Sequence, residues 1–358
     1  MAITAAMVKE LREMTGAGMM DCKKALTETN GDMDAAVDVL KKSGAAKMEK
    51  KASRIAAEGI ARVAANDTVA VVAEVNSETD FVAKNETFQE FVQVVADNAL
   101  ASGLEGGANG EDIEAVLEMN GLKELLVEKT ATIGEKLSVR RFAKVTGDCV
   151  ASYLHAGGKI GVLVAGAGAS DDAAKEALSN IAMQIAAMNP QYISRTEISA
   201  DELAKIREIT VDSALNDPAS LPKPIQNELY TKVETEKLFS DEDLATLAEK
   251  KNDKYLYNFL SKEAIAKLAE LALAGKAAYV ENKIFAGLVE GRISKQLKEI
   301  CLLDQTYVKA EDGKQTVAAY LASLNKDLTI AKFVRFEVGE GMEKKNEDFA
   351  AEVAAQLG

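Results

Sequence analysis

The first part of the chain places apolar residues at helical spacing. The first helix presents one apolar face, formed by Val8, Leu11 and Met14. Glycine turns at 15–18 and 30–31 end the first and second helices, and Asp32 can cap a third that ends near 43–44. The basic, alanine-rich stretch 45–62 then predicts a helical linker. A small three-helix module is therefore expected at the N-terminus.

Short apolar stretches bounded by turn residues follow. Four of them predict strands, at 59–64, 69–75, 149–155 and 160–165. Each pair flanks a turn and precedes a helical stretch, at 86–101 and at 171–188. The order strand, turn, strand, helix thus occurs twice, which predicts a duplicated α+β core with antiparallel sheets. An alternating stretch at 332–338 predicts a last strand.

The middle of the chain favours helices. No glycine lies between Gly168 and Gly275, where Ala, Leu, Glu and Lys are frequent. The four prolines of the chain all lie within 190–224 and must interrupt these helices. We expect a helical insertion here, for which a hairpin of long helices is one interpretation. An amphipathic pattern over 343–357 predicts a C-terminal helix.

These patterns together predict a multidomain α+β protein. We expect an N-terminal three-helix module, a core N-subdomain, a core C-subdomain in two parts, an inserted coiled-coil-like helical segment and a C-terminal helix module. Their predicted ranges are 1–55, 56–143, 144–204 with 290–338, 205–289 and 339–358.

The composition of the chain limits the classes of function that it can have. The 358 residues carry 57 acidic and 43 basic side chains, for a net charge of −14. This balance argues against a nucleic-acid binder or a protein that docks on anionic membranes, since both need basic patches. No apolar run is long enough to span a membrane, and the start lacks the pattern of a signal peptide. With only three widely spaced cysteines, we expect a reduced, cytoplasmic protein.

Residues for catalysis are scarce. His155 is the only histidine, and no nucleophile elbow, phosphate loop or zinc-type cysteine spacing is present. We therefore expect no cofactor and no metal site. The sequence favours an interaction protein over an enzyme.

Three motifs carry a specific resemblance. They read TGAGMMDCKKAL at 15–26, TDFVAKN at 79–85 and RFEVGEG at 335–341. In this order they closely resemble the bacterial translation elongation factor Ts family, the guanine-nucleotide exchange factors of elongation factor Tu. The likeness covers nearly the whole chain except much of 205–285, where the helical insertion is longer than is common in the family.

The resemblance implies a fold and a function. The N-terminal module would be similar to ubiquitin-associated domains, and the core would consist of two related α+β subdomains. The protein would bind elongation factor Tu carrying GDP, disturb its magnesium and phosphate sites, and release GDP without catalytic chemistry of its own. Self-association through the helical insertion is an open alternative for that segment.

The turn at 79–82 is the sharpest candidate site. From the residues alone, Asp80 would cap a helix and Phe81 would pack in the core. The resemblance implies instead that this pair lies at an exposed tip and wedges into the nucleotide-binding domain of the partner. The candidate residues here are Thr79, Asp80, Phe81 and Val82.

Other candidate contacts also come from the resemblance. His155 would help to disturb the phosphate-binding loop of the partner, although a strand-end histidine beside a glycine turn is the alternative. Family members use the edge formed here by Met19, Met20 and Lys23 to grip the partner; on that basis one methionine is expected to face inward and the other outward. Further contacts are expected at Ile133, Gly134 and Ile300, with a plain loop glycine as the alternative for Gly134.

Two other classes of function remain open from the sequence. One is a helical adaptor that binds a protein without exchanging nucleotide. The other is a hydrolase or transferase using Asp80 with His155, against which the missing nucleophile motif counts.

Overall fold

The computed structural model describes residues 3–343. The chain divides into two compact units. The first contains the residues up to Asn189 and those from Tyr307 onward, and the second is Pro190–Thr306. The predicted insertion, 205–289, lies inside the second unit. The finer division into subdomains stays a prediction.

Three helices form the N-terminal module, as predicted. They are α1 (Ala5–Thr15), α2 (Met19–Glu28) and α3 (Met33–Lys51). Side-chain oxygens of Thr4 and Asp32 accept amide N–H bonds at the starts of α1 and α3. Helix α3 does not stop at 43–44, because Gly44 is buried against Val127, and this packing offsets the low helix propensity of glycine. The separate linker predicted for 45–62 is therefore wrong.

Within residues 3–343, seven strands form two antiparallel sheets, which confirms the predicted class. They are β1 (Glu58–Ala65), β2 (Val69–Ser77), β3 (Gly106–Gly107), β4 (Ser138–Thr146), β5 (Cys149–His155), β6 (Ile160–Ala167) and β7 (Thr329–Glu337). The first sheet has the order β1-β2-β4-β3 and the second β5-β6-β7. Strand β4 was not predicted from the sequence, although it pairs with β2 along most of its length.

Helices cover the outer faces of the sheets. After the N-terminal module, the first unit continues with α4 (Asp80–Ala83), α5 (Glu86–Ser102), α6 (Ile113–Leu117), α7 (Leu122–Ile133) and α8 (Asp172–Met188). One core packs α5, α6 and α7 on the first sheet around Phe88, Phe91 and Phe142. Helix α8 packs on β5 and β6 of the second sheet.

The inner faces of the two sheets pack on each other. This second core includes Ala61, Val72, Leu163, Ala165 and Phe336. Residues from both sheets alternate inward along their strands, as expected for sheets buried on one face by helices and on the other by a partner sheet.

The second unit is helical. Its helices, all within the described residues, are α9 (Ala200–Leu215), α10 (Lys223–Glu236), α11 (Asp241–Lys250), α12 (Lys262–Ala274), α13 (Lys276–Val280) and α14 (Lys283–Ile300). They surround a core of their own that includes Leu215, Leu229, Leu268 and Phe285. Six helices, rather than one hairpin of two long helices, thus build the described unit.

The chain returns to the first unit through α15 (Val317–Leu324) before β7. The predicted C-terminal helix over 343–357 lies, apart from its first residue, outside the described residues. Among residues 3–343, no helix combines the length and the apolar character needed to cross a membrane.

Candidate functional site

The turn at 79–82 exposes an aromatic ring. Thr79 precedes α4 in an extended conformation, so Asp80 is the first residue of this one-turn helix and not its cap. The Phe81 side chain is 77% exposed, which makes the expected core packing of this ring wrong. Val82 is buried in the core under the first sheet. The turn therefore anchors one apolar side chain, Val82, in the core and exposes another, Phe81, to solvent.

A lysine one turn later contacts both exposed residues of the tip. Lys84 Nζ lies 2.8 Å from Asp80 Oδ2 and 5.7 Å from the centre of the Phe81 ring. This hydrogen bond, followed by smaller effects that include the nearby charge of Lys159, lowers the pKa of Asp80. The carboxylate is therefore ionised at neutral pH and paired with Lys84, the residue that follows α4.

The base of the turn is held by Glu135, which the sequence analysis did not identify. Its Oε2 atom accepts the backbone N–H groups of Glu78 and Thr79, each at 3.0 Å. Its Oε1 atom accepts the Thr79 hydroxyl at 2.6 Å. Charge-assisted bonds of this kind are stronger than neutral ones. One carboxylate thus fixes the backbone just before the exposed ring.

Gly134 explains how Glu135 reaches the turn. Gly134 ends α7 with a φ of 87°, and its amide donates to Thr130 O. Only a residue without a Cβ adopts this left-handed conformation at little cost. Ile133 is half-buried against the core of the first unit. The predicted contacts Ile133 and Gly134 therefore lie beside the Phe81 turn, where Gly134 has a clear backbone role.

Glu135→Ala is expected to loosen this turn. The change removes three hydrogen bonds, so we expect the first unit to lose about 1–3 kcal/mol of stability and the amides of Glu78 and Thr79 to exchange hydrogen faster. Hydrogen–deuterium exchange of the peptide that contains these amides checks this. Glu128→Ala is the matched control, since Glu128 on α7 pairs with the adjacent Lys129 and, among the described residues, bonds to neither Glu78 nor Thr79. Unchanged protection in Glu135→Ala would contradict the assigned role.

His155 lies at the end of β5, next to an unusual turn. Its side chain is exposed, and Nδ1 lies 3.1 Å from the Tyr153 hydroxyl. The next three residues all have positive φ, with values of 48° for Ala156, 69° for Gly157 and 99° for Gly158. A Cβ on Gly158 would approach Ala61 O to 2.7 Å, so the turn packs its backbone closely on β1. The histidine is therefore presented by a turn seated on the first sheet.

The Phe81 turn and the His155 turn lie near each other. Lys159, directly after the second turn, forms an ion pair with Glu58 at the start of β1, and its charge acts on Asp80. Asp80 itself pairs with Lys84, whereas His155 contacts Tyr153. The two candidate residues thus lie at one edge without forming an acid–base pair.

The N-terminal module presents a methionine surface. Met19 is 58% and Met20 75% exposed, so the expectation that one of them packs inward is wrong. The inward face of α2 is formed instead by Cys22, Ala25 and Leu26. Lys23 is exposed beside the methionines. Met14, which the sequence placed on the apolar face of the first helix with Val8 and Leu11, is 60% exposed at the end of α1, whereas the other two are buried.

Ile300 lies in the helical unit. It ends α14, is half-buried against the core of that unit, and accepts at its carbonyl the N–H groups of Gln191 and Tyr192, at 2.8 and 3.1 Å. The prediction assigned it to a core subdomain that includes 290–338, whereas the compact unit that contains it is Pro190–Thr306. Its role as a contact stays a prediction.

The third motif, at 335–341, has a structural role. Gly339 has a φ of 75°, and a Cβ there would approach Ala57 O to 2.2 Å. Its amide donates to the fully buried Glu74 carboxylate at 2.9 Å. Phe336 packs in the core between the sheets under the Arg141 guanidinium, 4.1 Å from its centre. The motif thus closes the last strand over a buried ionic cluster.

Most candidate residues of the first unit are exposed, at the two turns and on α2, whereas Val82 is buried in the core. Within residues 3–343, no three His, Cys, Asp or Glu side chains are placed to hold a metal ion. This arrangement defines a multidomain α+β protein with exposed side chains at the turns and on α2 of its first unit.

Comparison with known proteins identifies the family. The model of the family described as Elongation factor TS matches residues 78–340. Elongation factor Ts of Clostridioides difficile (strain 630) is 44% identical over 366 aligned positions, which cover 99% of each chain. The chain belongs to the elongation factor Ts family.

Proposed function

We propose that this protein promotes release of GDP from elongation factor Tu, so that GTP can bind. The observation that carries the proposal is the Phe81 side chain, which is 77% exposed on a turn that Glu135 holds in place. An exposed ring on a fixed backbone loses little entropy on binding and can fill an apolar pocket of a partner. The protein contributes binding energy and no catalytic chemistry of its own.

Release would follow from differential binding. Phe81 and the ionised Asp80 enter the nucleotide-binding domain of the partner and displace the elements that hold magnesium. Loss of the ion removes positive charge from beside the β-phosphate, which weakens the hold on GDP. His155 acts on the phosphate-binding loop from the neighbouring turn. Nucleotide must then weaken the factor by the same ratio, which allows GTP to expel it.

Several contacts must share this work. A ten-thousandfold weakening of nucleotide requires about 5.5 kcal/mol of coupling, more than one side chain supplies in most interfaces. The N-terminal module would add contacts with the partner through Met19, Met20 and Lys23. A further contact beside Phe81 would come from Ile133 and Gly134. Ile300 would contribute from the helical unit. These assignments rest on the family resemblance and on the exposure of the first three side chains.

The partner is a protein rather than nucleic acid or a membrane. The net charge of −14 supports this, because both alternatives favour basic surfaces. We also propose that the protein is located in the cytoplasm. Self-association through the helical insertion is a further proposal.

Release of a fluorescent GDP analogue from purified elongation factor Tu, chased with excess unlabelled GDP, tests the function. The native chain is expected to accelerate release and to bind the partner less tightly as GDP is raised. Stable binding that is insensitive to GDP, without acceleration, would overturn the proposal and favour an adaptor.

A further inference from the structure

The two exposed turns are joined by a bridge of two side chains, Arg62 and Gln89. Gln89 lies in the first turns of α5 and donates from Nε2 to the carbonyl of Ala83, the last residue of α4, at 3.1 Å. Its other amide atom, Oε1, accepts from Arg62 Nη2 at 2.9 Å. The amide therefore ties the helix that carries Phe81 to strand β1.

Arg62 continues the bridge to the other turn. Its Nη1 atom lies 3.3 Å from Ala61 O and 3.5 Å from Gly157 O, and both oxygens accept. The fit is close, since a Cβ on Gly158 would lie 2.9 Å from the same nitrogen. The guanidinium is thus packed under the backbone that presents His155.

The surroundings of Arg62 suit a connecting role. Within the described part of the chain, Arg62 donates to neutral oxygens, and no carboxylate forms an ion pair with it. Burial lowers the pKa of its guanidinium. A planar fork of donors can span two backbone segments and an amide at fixed geometry, which neither a lysine nor a short polar side chain can do. The hydrogen bonds of Arg62 are therefore weaker than an ion pair would be, but they fix the relative positions of the two turns.

We propose that Arg62 and Gln89 are positioning residues, which hold the Phe81 turn and the His155 turn in one fixed relation so that both engage the partner together. The inference rests on the proposed exchange function. Neither side chain needs to touch the partner. Loss of the bridge is expected to leave both turns folded, because Glu135 holds one and Lys159 with Glu58 anchors the other.

Gln89→Met tests the bridge. Methionine is similar in length and keeps apolar packing, but it can neither donate to Ala83 nor accept from Arg62. The maximal rate of GDP release at saturating factor is expected to fall about tenfold, because misplacement of contact groups by an ångström is costly. The factor concentration at half-maximal rate should change less, since the binding surfaces remain.

The chain offers a matched control one turn along the same helix. Gln93 also bonds to β1, through Nε2 to Val63 O at 3.0 Å. Among the described residues its other bond is to Asp97, and it reaches neither turn. Gln93→Met is expected to change the maximal rate by less than about twofold. Gln89→Glu provides a graded variant, because a carboxylate still accepts from Arg62 but no longer donates to Ala83, and it should fall between native and Gln89→Met.

A double-mutant cycle separates positioning from general stability. In the native background, Phe81→Ala and His155→Ala should have non-additive effects on the rate, since the two turns act as a unit. In the Gln89→Met background the effects should become additive. Equal maximal rates for Gln89→Met and Gln93→Met would overturn the bridge, as would unchanged coupling between Phe81 and His155 in the Gln89→Met background. In either case, acceleration of GDP release by the native chain would still uphold the exchange function. No acceleration by the native chain would overturn both.

Discussion

Phe81→Ala is expected to slow GDP release from elongation factor Tu by roughly 30- to 150-fold, which corresponds to about 2–3 kcal/mol for a buried aromatic anchor. The ring is 77% exposed in the free protein, so its removal leaves the core intact. The melting temperature should therefore stay within about a degree of native. Stopped-flow release of a fluorescent GDP analogue, measured over a range of factor concentrations, gives the rate.

A second exposed phenylalanine supplies the control. Phe259 in the helical unit is 53% exposed and has Lys250 Nζ 4.8 Å from its ring centre, much as Phe81 has Lys84. Phe259→Ala removes the same group from a similar setting in the other compact unit. The Phe259→Ala variant should promote GDP release from elongation factor Tu at the native rate. Equal slowing by both variants would show a nonspecific loss of apolar surface, and native rates for both would move the mechanism to other contacts.

The elements with uniform patterns were predictable from the sequence. The strand pairs before α5 and α8 and the helical insertion follow from runs of apolar residues, turn residues and helix formers. Strand β4 was missed because Arg140, Arg141 and Lys144 interrupt its apolar pattern. The first two of these side chains pair with Glu74, far away in sequence, and no local pattern contains that information.

The site shows the same limit. The resemblance identified Asp80, Phe81 and His155 as candidates, and the structure adds their exposure. Glu135 and Arg62 could not be found in this way, because their partners are distant in sequence. Glu135 bonds to Thr79, 56 positions away, and Arg62 bonds to Gln89, 27 positions away. Groups that present a contact are recognisable from a motif, whereas groups that hold it in position depend on tertiary contacts.

Glu74 is the centre of the buried ionic cluster, and its loss is expected to have the largest effect on stability. The side chain is fully buried and accepts from Arg140 Nη1 at 2.9 Å and from Arg141 Nε at 2.6 Å. It also accepts from Asn76 Nδ2 at 3.1 Å and from Gly339 N at 2.9 Å. Four donors, two of them cationic, therefore depend on one carboxylate.

Glu74→Leu is expected to destabilise the first unit by about 3–5 kcal/mol, because it leaves the Arg141 side chain, 6% exposed, charged and without its main partner. The chain has no tryptophan, so thermal or urea unfolding is best followed by circular dichroism. Since the helical unit has its own core, only the transition of the first unit should shift. Glu118→Leu, at an ion pair whose side chains are 65% and 53% exposed, should change stability by less than about 1 kcal/mol.

The double variant Glu74→Leu/Arg141→Met decides whether charge or packing is responsible. If the cost of Glu74→Leu comes from an unpaired buried guanidinium, removing that cation should restore part of the lost stability. The recovery should be incomplete, because Arg141 also donates to Glu337 O at 3.0 Å and stacks on Phe336. A double variant less stable than Glu74→Leu would instead mean that the arginine contributes mainly through those contacts. In that case the cluster would hold the last strand by packing and backbone hydrogen bonds, and the ion pair would be secondary.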